Sequence, residues 1–272
     1  MSENRVGSAF PAGRSVVFLH AHPDDEAIFT AVAMRRLADR NVRVVLVTAT
    51  LGEEGTPVTP LRPGQSLGAR RVRELESASA VLGVARLVIL GYRDSGMACE
   101  PTNAHPRAFA RLALSPARRL LNLLEREQAE ALVYYDRRGI YGHPDHVAVA
   151  RLGRWAVGRA PVTGYEATVD PEHLLSGPRH LVEGGRPRSA TRRLGSRPSV
   201  ITTTLRARPA ELLAKRRAMA AHGSQIPRDV LTASAFDRTY EYEWFVRIGR
   251  PGILDEVADE AGVDRSSTSL WG

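Results

Sequence analysis

Val16-Val17-Phe18-Leu19, followed by Ala21-His22-Pro23-Asp24-Asp25-Glu26, is the stretch that decides the fold. Four β-prone residues running into a proline-containing acidic cluster predict a buried strand that feeds a turn. Pro23 suits the first turn of a helix, and the acidic residues behind it suit a helix N-terminus. One histidine and two aspartates should therefore project from the C-terminal end of a strand, where open α/β sheets bind ligands. A neutral imidazole and a carboxylate three residues apart can grip one divalent cation and leave a second carboxylate for proton transfer. Taken alone, the pattern also fits an acidic helix cap beside a solvated histidine.

A second cluster changes the balance. Tyr141-Gly142-His143-Pro144-Asp145-His146 also follows an apolar segment, Ala131-Leu132-Val133-Tyr134-Tyr135, and also opens a helical pattern. Two such strand ends can supply three protein ligands and leave one position open, as a catalytic zinc site requires. Together the stretches resemble the PIG-L/LmbE-like family of metal-dependent N-deacetylases, most of all its mycothiol-pathway members, which include an amidase. The resemblance implies that His22, Asp25 and His146 hold Zn²⁺, that Asp24 is the general base, and that Tyr141 polarises the scissile carbonyl. It implies that His143 assists charge development or leaving-group protonation. Asp145 reads as the partner that fixes a histidine tautomer. Fe²⁺ suits the same ligand set.

Substrate contacts are expected on neighbouring strand ends. Val42–Thr48 is a strong second strand, and Leu51-Gly52-Glu53-Glu54-Gly55 leaves its end. The similar segment of mycothiol-type relatives implies that Glu53 or Glu54 touches sugar hydroxyls. A helix over 69–82 carries Arg71, which the resemblance places on the sugar; a surface pair with Glu74 or Glu76 is the plainer alternative. Arg86–Leu90 is a short third strand, followed by Arg93-Asp94-Ser95-Gly96-Met97, where Asp94 is the residue expected on hydroxyls. His20 reads as packing. Ala27-Ile28-Phe29 is bulkier than the small residues of many relatives beside the metal.

Strands alternating with helices through residue 157 predict an α/β, Rossmann-like, mostly parallel sheet with helices on both faces. Helices are expected over 26–40, 107–127 and 146–157, with a fourth strand over 131–136 and a further one over 162–169. A smaller, irregular C-terminal part follows, with β-prone 199–204, a helix over 209–221, an aromatic strand over 241–246 and an acidic helix in 251–272. The division is a metal-binding core over 1–160 and a C-terminal region over 161–272 that helps shape the pocket.

Composition narrows the class. The chain has 272 residues, 43% hydrophobic and 25% charged, ordinary values for a globular protein. No apolar run approaches the ~20 residues of a membrane span, and the first 14 residues read as a polar tail without a signal peptide. Cys99 is the single cysteine, expected buried or half-buried, and the absence of an intrachain disulfide suits the cytoplasm. The net charge of +8 would raise nucleic acid as a partner. However, 177–217 holds eleven Arg and Lys against two Glu, which leaves the rest of the chain near neutral. No aromatic residue interleaves these arginines for base stacking, so they read as solvated or intersubunit. The expected partner is a small amino-sugar substrate, with neither nucleic acid nor membrane, and homo-oligomers stay open. The rivals are an amidase for larger acyl groups, an iron oxygenase using the same triad, and a non-catalytic arginine-rich binding protein.

Overall fold

The apolar strand ahead of the first acidic cluster becomes the centre of the sheet. In the computed structural model, residues 13–259 are described. Seven strands are present among them: β1 (Ser15–His20), β2 (Arg43–Thr48), β3 (Arg86–Ile89), β4 (Ala131–Tyr135), β5 (Thr163–Thr168), β6 (Thr203–Arg206) and β7 (Tyr242–Ile248). They form one sheet in the order β3-β2-β1-β4-β5-β7-β6. The first five run parallel, and β7 pairs antiparallel with both β5 and β6. Every residue of β1 and β4 is buried, as continuous apolar strands covered on both faces should be.

The helices up to residue 160 are α1 (Asp25–Phe29), α2 (Ala31–Ala38), α3 (Leu67–Leu82), α4 (Ala117–Arg126), α5 (Gly139–Gly142), which is one distorted turn, and α6 (Pro144–Val157). Two helical layers cover the sheet: α2 and α3 pack with a later helix, Pro209–Ala221, while α4 packs on α6, which lies on β4 and β5. Chain direction across the sheet reverses at β1, which pairs with β2 on one side and β4 on the other. The crevice between the ends of β1 and β4 is therefore the topological switch point, and both histidine-bearing clusters open onto it. No helix among the described residues is long and apolar enough to cross a membrane.

Some elements differ from the sequence expectation. The helix over 26–40 is broken at Thr30 (φ −140°, ψ 12°), whose hydroxyl lies 2.9 Å from His20 Nε2. His20 is thus a buried connector, bonded at its other nitrogen to the Tyr135 hydroxyl at 2.9 Å. The helix expected from 107 starts only at Ala117, after a short 3₁₀ turn at Phe109–Arg111. β6 starts at Thr203, because Pro198 turns the preceding residues into a 3₁₀ segment. Cys99 is exposed in the loop after β3 at φ 72°. Residues 1–12 of the expected tail and 260–272 of the expected acidic helix lie outside the described residues, which end with the helix Ile253–Asp259.

The later half of the chain is fastened by buried charges. Arg36 on α2 makes a bidentate pair with Glu211, at 2.8 and 2.6 Å. Glu243 on β7 accepts from Lys215 Nζ at 2.8 Å. It also accepts from the backbone N–H groups of Val32 and Ala33, the orphan donors at the start of α2. His222 Nε2 lies 2.6 Å from Glu26 Oε1.

Candidate active site

His22 leaves the end of β1, Asp25 opens α1, and His146 stands in the first turn of α6. Each is buried, and one ligand atom from each lies within 4.8 Å of the others. His22 Nδ1 is 3.5 Å from Asp25 Oδ2, and His146 Nε2 is 3.3 Å from Asp25 Oδ1. The remaining nitrogen of His22 lies 3.3 Å from Asp145 Oδ2. Asp145 is itself held by the N–H of Ser95 at 2.9 Å and by the Ser95 hydroxyl. His146 is oriented differently: its Nδ1 is buried without a hydrogen-bond partner, and its ring stacks on Tyr135 at 4.4 Å.

The residues fit a divalent cation. Burial opposes a proton on His22, yet Asp94, Asp145 and Asp25 push its pKa well above the ordinary range. Burial also opposes charge on Asp25, but His146 and His22 hold its pKa well below the usual carboxylate range. Two imidazoles and a carboxylate, all out of water, form a nest that a cation can stabilise in place of those protons. His22 is shared with a second triple, His22, Asp94 and His143, whose ligand atoms also lie within 4.8 Å of one another.

Asp24 sits between the two ligands of the first motif in an unusual conformation, φ 108° and ψ −27°. A side chain there clashes with its own backbone, so the neighbours must hold it. Its carbonyl accepts from Ala27 and Ile28, and its N–H donates to Glu26 Oε2 at 2.9 Å. Its carboxylate lies 3.1 Å from Arg71 Nη2. Burial raises its pKa to about 6 against the opposing pull of Arg71, with Asp25 adding to the rise. Arg71 is fixed in turn by the carbonyls of Gly52, at 2.7 Å, and Pro23. Gly52 has φ 63°, and a Cβ there would collide with the guanidinium.

The loop between β4 and α6 is also strained. Asp136 Oδ1 accepts from the N–H groups of Arg138 and Ile140, and Ile140 is held at φ 63° and ψ −59°. Gly139 passes so close to α6 that a Cβ would lie 2.6 Å from the His146 backbone carbon. This geometry brings the Tyr141 hydroxyl to 3.4 Å from His146 Nε2. Burial pushes the Tyr141 pKa up, with Asp25 adding to it, so the phenol keeps its proton. His143 caps α6 by accepting the Asp145 N–H at Nδ1, which leaves its ring proton on Nε2. Burial, with His22 and His146 nearby, lowers its pKa to about 2.

His22, Asp24, Asp25, Tyr141 and His143 line a pocket of about 640 Å³, together with Glu54, Arg71, Asp94, Phe29, Leu181 and Arg186, while His146 is buried behind them. Asp94 is 3.5 Å from His22 Nε2 and accepts from the N–H groups of Gly96 and Glu54. Glu53 is not among the lining residues. Its carboxylate instead accepts the Asp94 N–H at 3.2 Å. Arg71, expected on the sugar, is committed to Asp24 and two carbonyls. Ser95, Tyr135, Glu26 and Arg186 escaped the sequence reading. Each acts through a contact distant in sequence, and so does His222, which lies just past the helix expected over 209–221.

A buried two-histidine, one-carboxylate nest with a free carboxylate beside it defines the arrangement used for metal-assisted hydrolysis. Residues 17–157, about half the chain, match the family model described as PIG-L: GlcNAc-PI de-N-acetylase. A curated relative from Acidothermus cellulolyticus, a 1D-myo-inositol 2-acetamido-2-deoxy-alpha-D-glucopyranoside deacetylase, is 38% identical over 283 residues, covering 95% of each chain. A relative of the same name from Actinosynnema mirum is 38% identical over 78% of this chain and 80% of its own. Among solved structures, N,N'-diacetylchitobiose deacetylase from Pyrococcus horikoshii shares the fold, with a TM-score of 0.58 and 19% identity. That match covers 86% of this chain and 84% of the other. The chain belongs to the PIG-L family and is a deacetylase.

Proposed function

We propose that the protein hydrolyses the acetamide of an N-acetylglucosamine unit on a polar aglycone, releasing acetate and the free amine. Inositol, named in both curated relatives, is the first aglycone to test. The observation that carries this reading is the convergence of His22, Asp24 and Asp25 on one pocket at the switch point of the sheet, with His146 buried behind Asp25 at 3.3 Å. His22, Asp25 and His146 would hold the metal, with Zn²⁺ the ion suited to two imidazoles and one carboxylate, and Fe²⁺ the alternative. A cation bound there supplies a Lewis acid and an acidified water.

The protein's own groups account for the proton traffic. Asp24 accepts the proton of the attacking water at its carboxylate and returns it to the leaving nitrogen, since an amide nitrogen departs poorly as an anion. The Tyr141 hydroxyl and the His143 Nε2–H donate to the carbonyl oxygen as negative charge develops. Asp145 keeps His22 in one tautomer. Arg71 holds the Asp24 carboxylate. Asp94 and Glu54 accept sugar hydroxyls, and Glu53 steadies Asp94 from behind. Residues 161–272 close the pocket through Leu181 and Arg186. The chain is proposed to work in the cytoplasm.

The test is metal-loaded protein with N-acetylglucosaminyl-inositol and a series of bulkier N-acyl analogues, with acid and amine both assayed. Acetate release from the N-acetyl compound is expected. Cleavage confined to larger acyl groups would replace the deacetylase reading with the amidase.

A further inference from the structure

The base position is suspended from the far end of the chain. Asp24 occupies a backbone region that a non-glycine residue enters only under constraint, and the carboxylate of Glu26 receives its N–H at 2.9 Å. The other oxygen of Glu26 lies 2.6 Å from His222 Nε2, and both side chains are 0% exposed. His222 ends the helix Pro209–Ala221, and its carbonyl accepts from Gln225 and Ile226. That helix packs against α1, α2 and α3, so it offers a rigid mount. Neither Glu26 nor His222 lines the pocket. Neither belongs to the metal triad.

We propose that His222 is a positioning residue for the reaction: by donating to Glu26 it fixes the main chain of Asp24 and so aims the carboxylate of the base. The relay runs from His222 Nε2–H to Glu26 Oε1, then from Glu26 Oε2 to the Asp24 N–H. Its length makes it sensitive, because a displacement of about 1 Å at a reacting group can cost ~10²-fold in rate. Arg71 restrains the carboxylate itself, so losing the relay misaims Asp24 without freeing it. The inference rests on Asp24 being the base of the proposed hydrolysis.

The discriminating pair is His222→Gln and His222→Met. Both replacements have similar length, and only glutamine donates a hydrogen bond. His222→Met should lower kcat by about 10- to 100-fold with KM within a few-fold of wild type and metal content unchanged. His222→Gln should recover most of that loss. Equal turnover of wild type and the folded Met variant, or equal losses in the Met and Gln variants, would overturn the proposal. So would loss of metal in step with activity. Should the Met variant not fold, Glu26→Gln carries the test, since it replaces the charged link by a weaker neutral one at constant size. It should lower kcat at unchanged KM, and a fall in thermal stability with unchanged kcat would count against the relay. Asp24→Asn, assayed beside them, separates the two possible failures. Wild-type turnover there would remove the base assignment, whereas a loss there without one in His222→Met would remove only the relay.

Discussion

The two halves of the sheet are built on different physical terms. β1, β4 and all but the first residue of β2 are apolar runs buried in the centre of the sheet, and burial selects their place. Beyond β5 the chain returns antiparallel, and two buried pairs at its helix Pro209–Ala221 tie it to the first half, Arg36–Glu211 and Glu26–His222, while Lys215 holds the Glu243 that accepts the α2 N–H groups. Apolar burial is non-directional and tolerates repacking, whereas a buried ion pair fixes register because a misplaced charge is costly. The difference teaches that the first half supplies the chemistry and the second supplies alignment.

Four substitutions break or sharpen that contrast. The largest effect should come from the chemical half. His146→Ala removes a proposed ligand, and metal analysis should show occupancy falling sharply, with activity lost along with it. Full metal content would take His146 out of the cation's shell. Asp24→Asn should keep the metal and lose ~10²–10⁴ in turnover, the usual contribution of a positioned base. Next comes the aligning half. Lys215→Met leaves Glu243 buried without its cation and should cost about 3–5 kcal/mol in denaturant unfolding. Glu243 would still accept the α2 N–H groups, which favours the lower end. The double variant with Glu243→Gln should recover part of that loss. A single substitution with no effect on stability would mean that the later half is held by apolar contact after all.

The effect that is smallest at neutral pH concerns acid stability. His180 lies in the later half, and burial, together with the cation of Lys215, lowers its pKa to about 3. The unfolded chain takes up a proton near pH 6.5 that the folded chain refuses until about pH 3. Stability from this group is therefore complete above pH 6.5 and lost as pH falls towards 3, with a slope approaching ~1.4 kcal/mol per pH unit. His180→Gln should flatten that part of the stability profile. An unchanged profile would show that His180 does not contribute.

What could be read in advance follows the same division. The parallel core was legible because Val16–Leu19, Val44–Val47 and Ala131–Tyr135 are unbroken apolar runs ending in polar clusters. The grouping of His22, Asp25 and His146 was legible because these residues sit at fixed offsets from those strand ends. The hold on Arg71 was not, since nothing in its helix reveals that Gly52 and Pro23 offer it carbonyls. The break at Thr30 was hidden for a similar reason: its partner, His20, looks like packing until the fold brings them together. Glu53 and Glu54 are chemically identical neighbours. Only the turn of the backbone decides that one meets the pocket and the other props the Asp94 loop.

The pairing of β1 with β4 has a consequence for how the protein is made. Val16 is set beside Ala131, and the strand ends so joined carry His22 and Asp25 on one side and His146 on the other. During synthesis the first motif emerges long before its partner. Closing such a distant contact is among the slower events of folding, because loop entropy must be overcome before the contact can form. Until then a nascent chain offers a metal only the first-motif half of the nest and holds it weakly. A cation added during refolding should therefore bind late, and its capture would serve as a kinetic clock for the docking of β4.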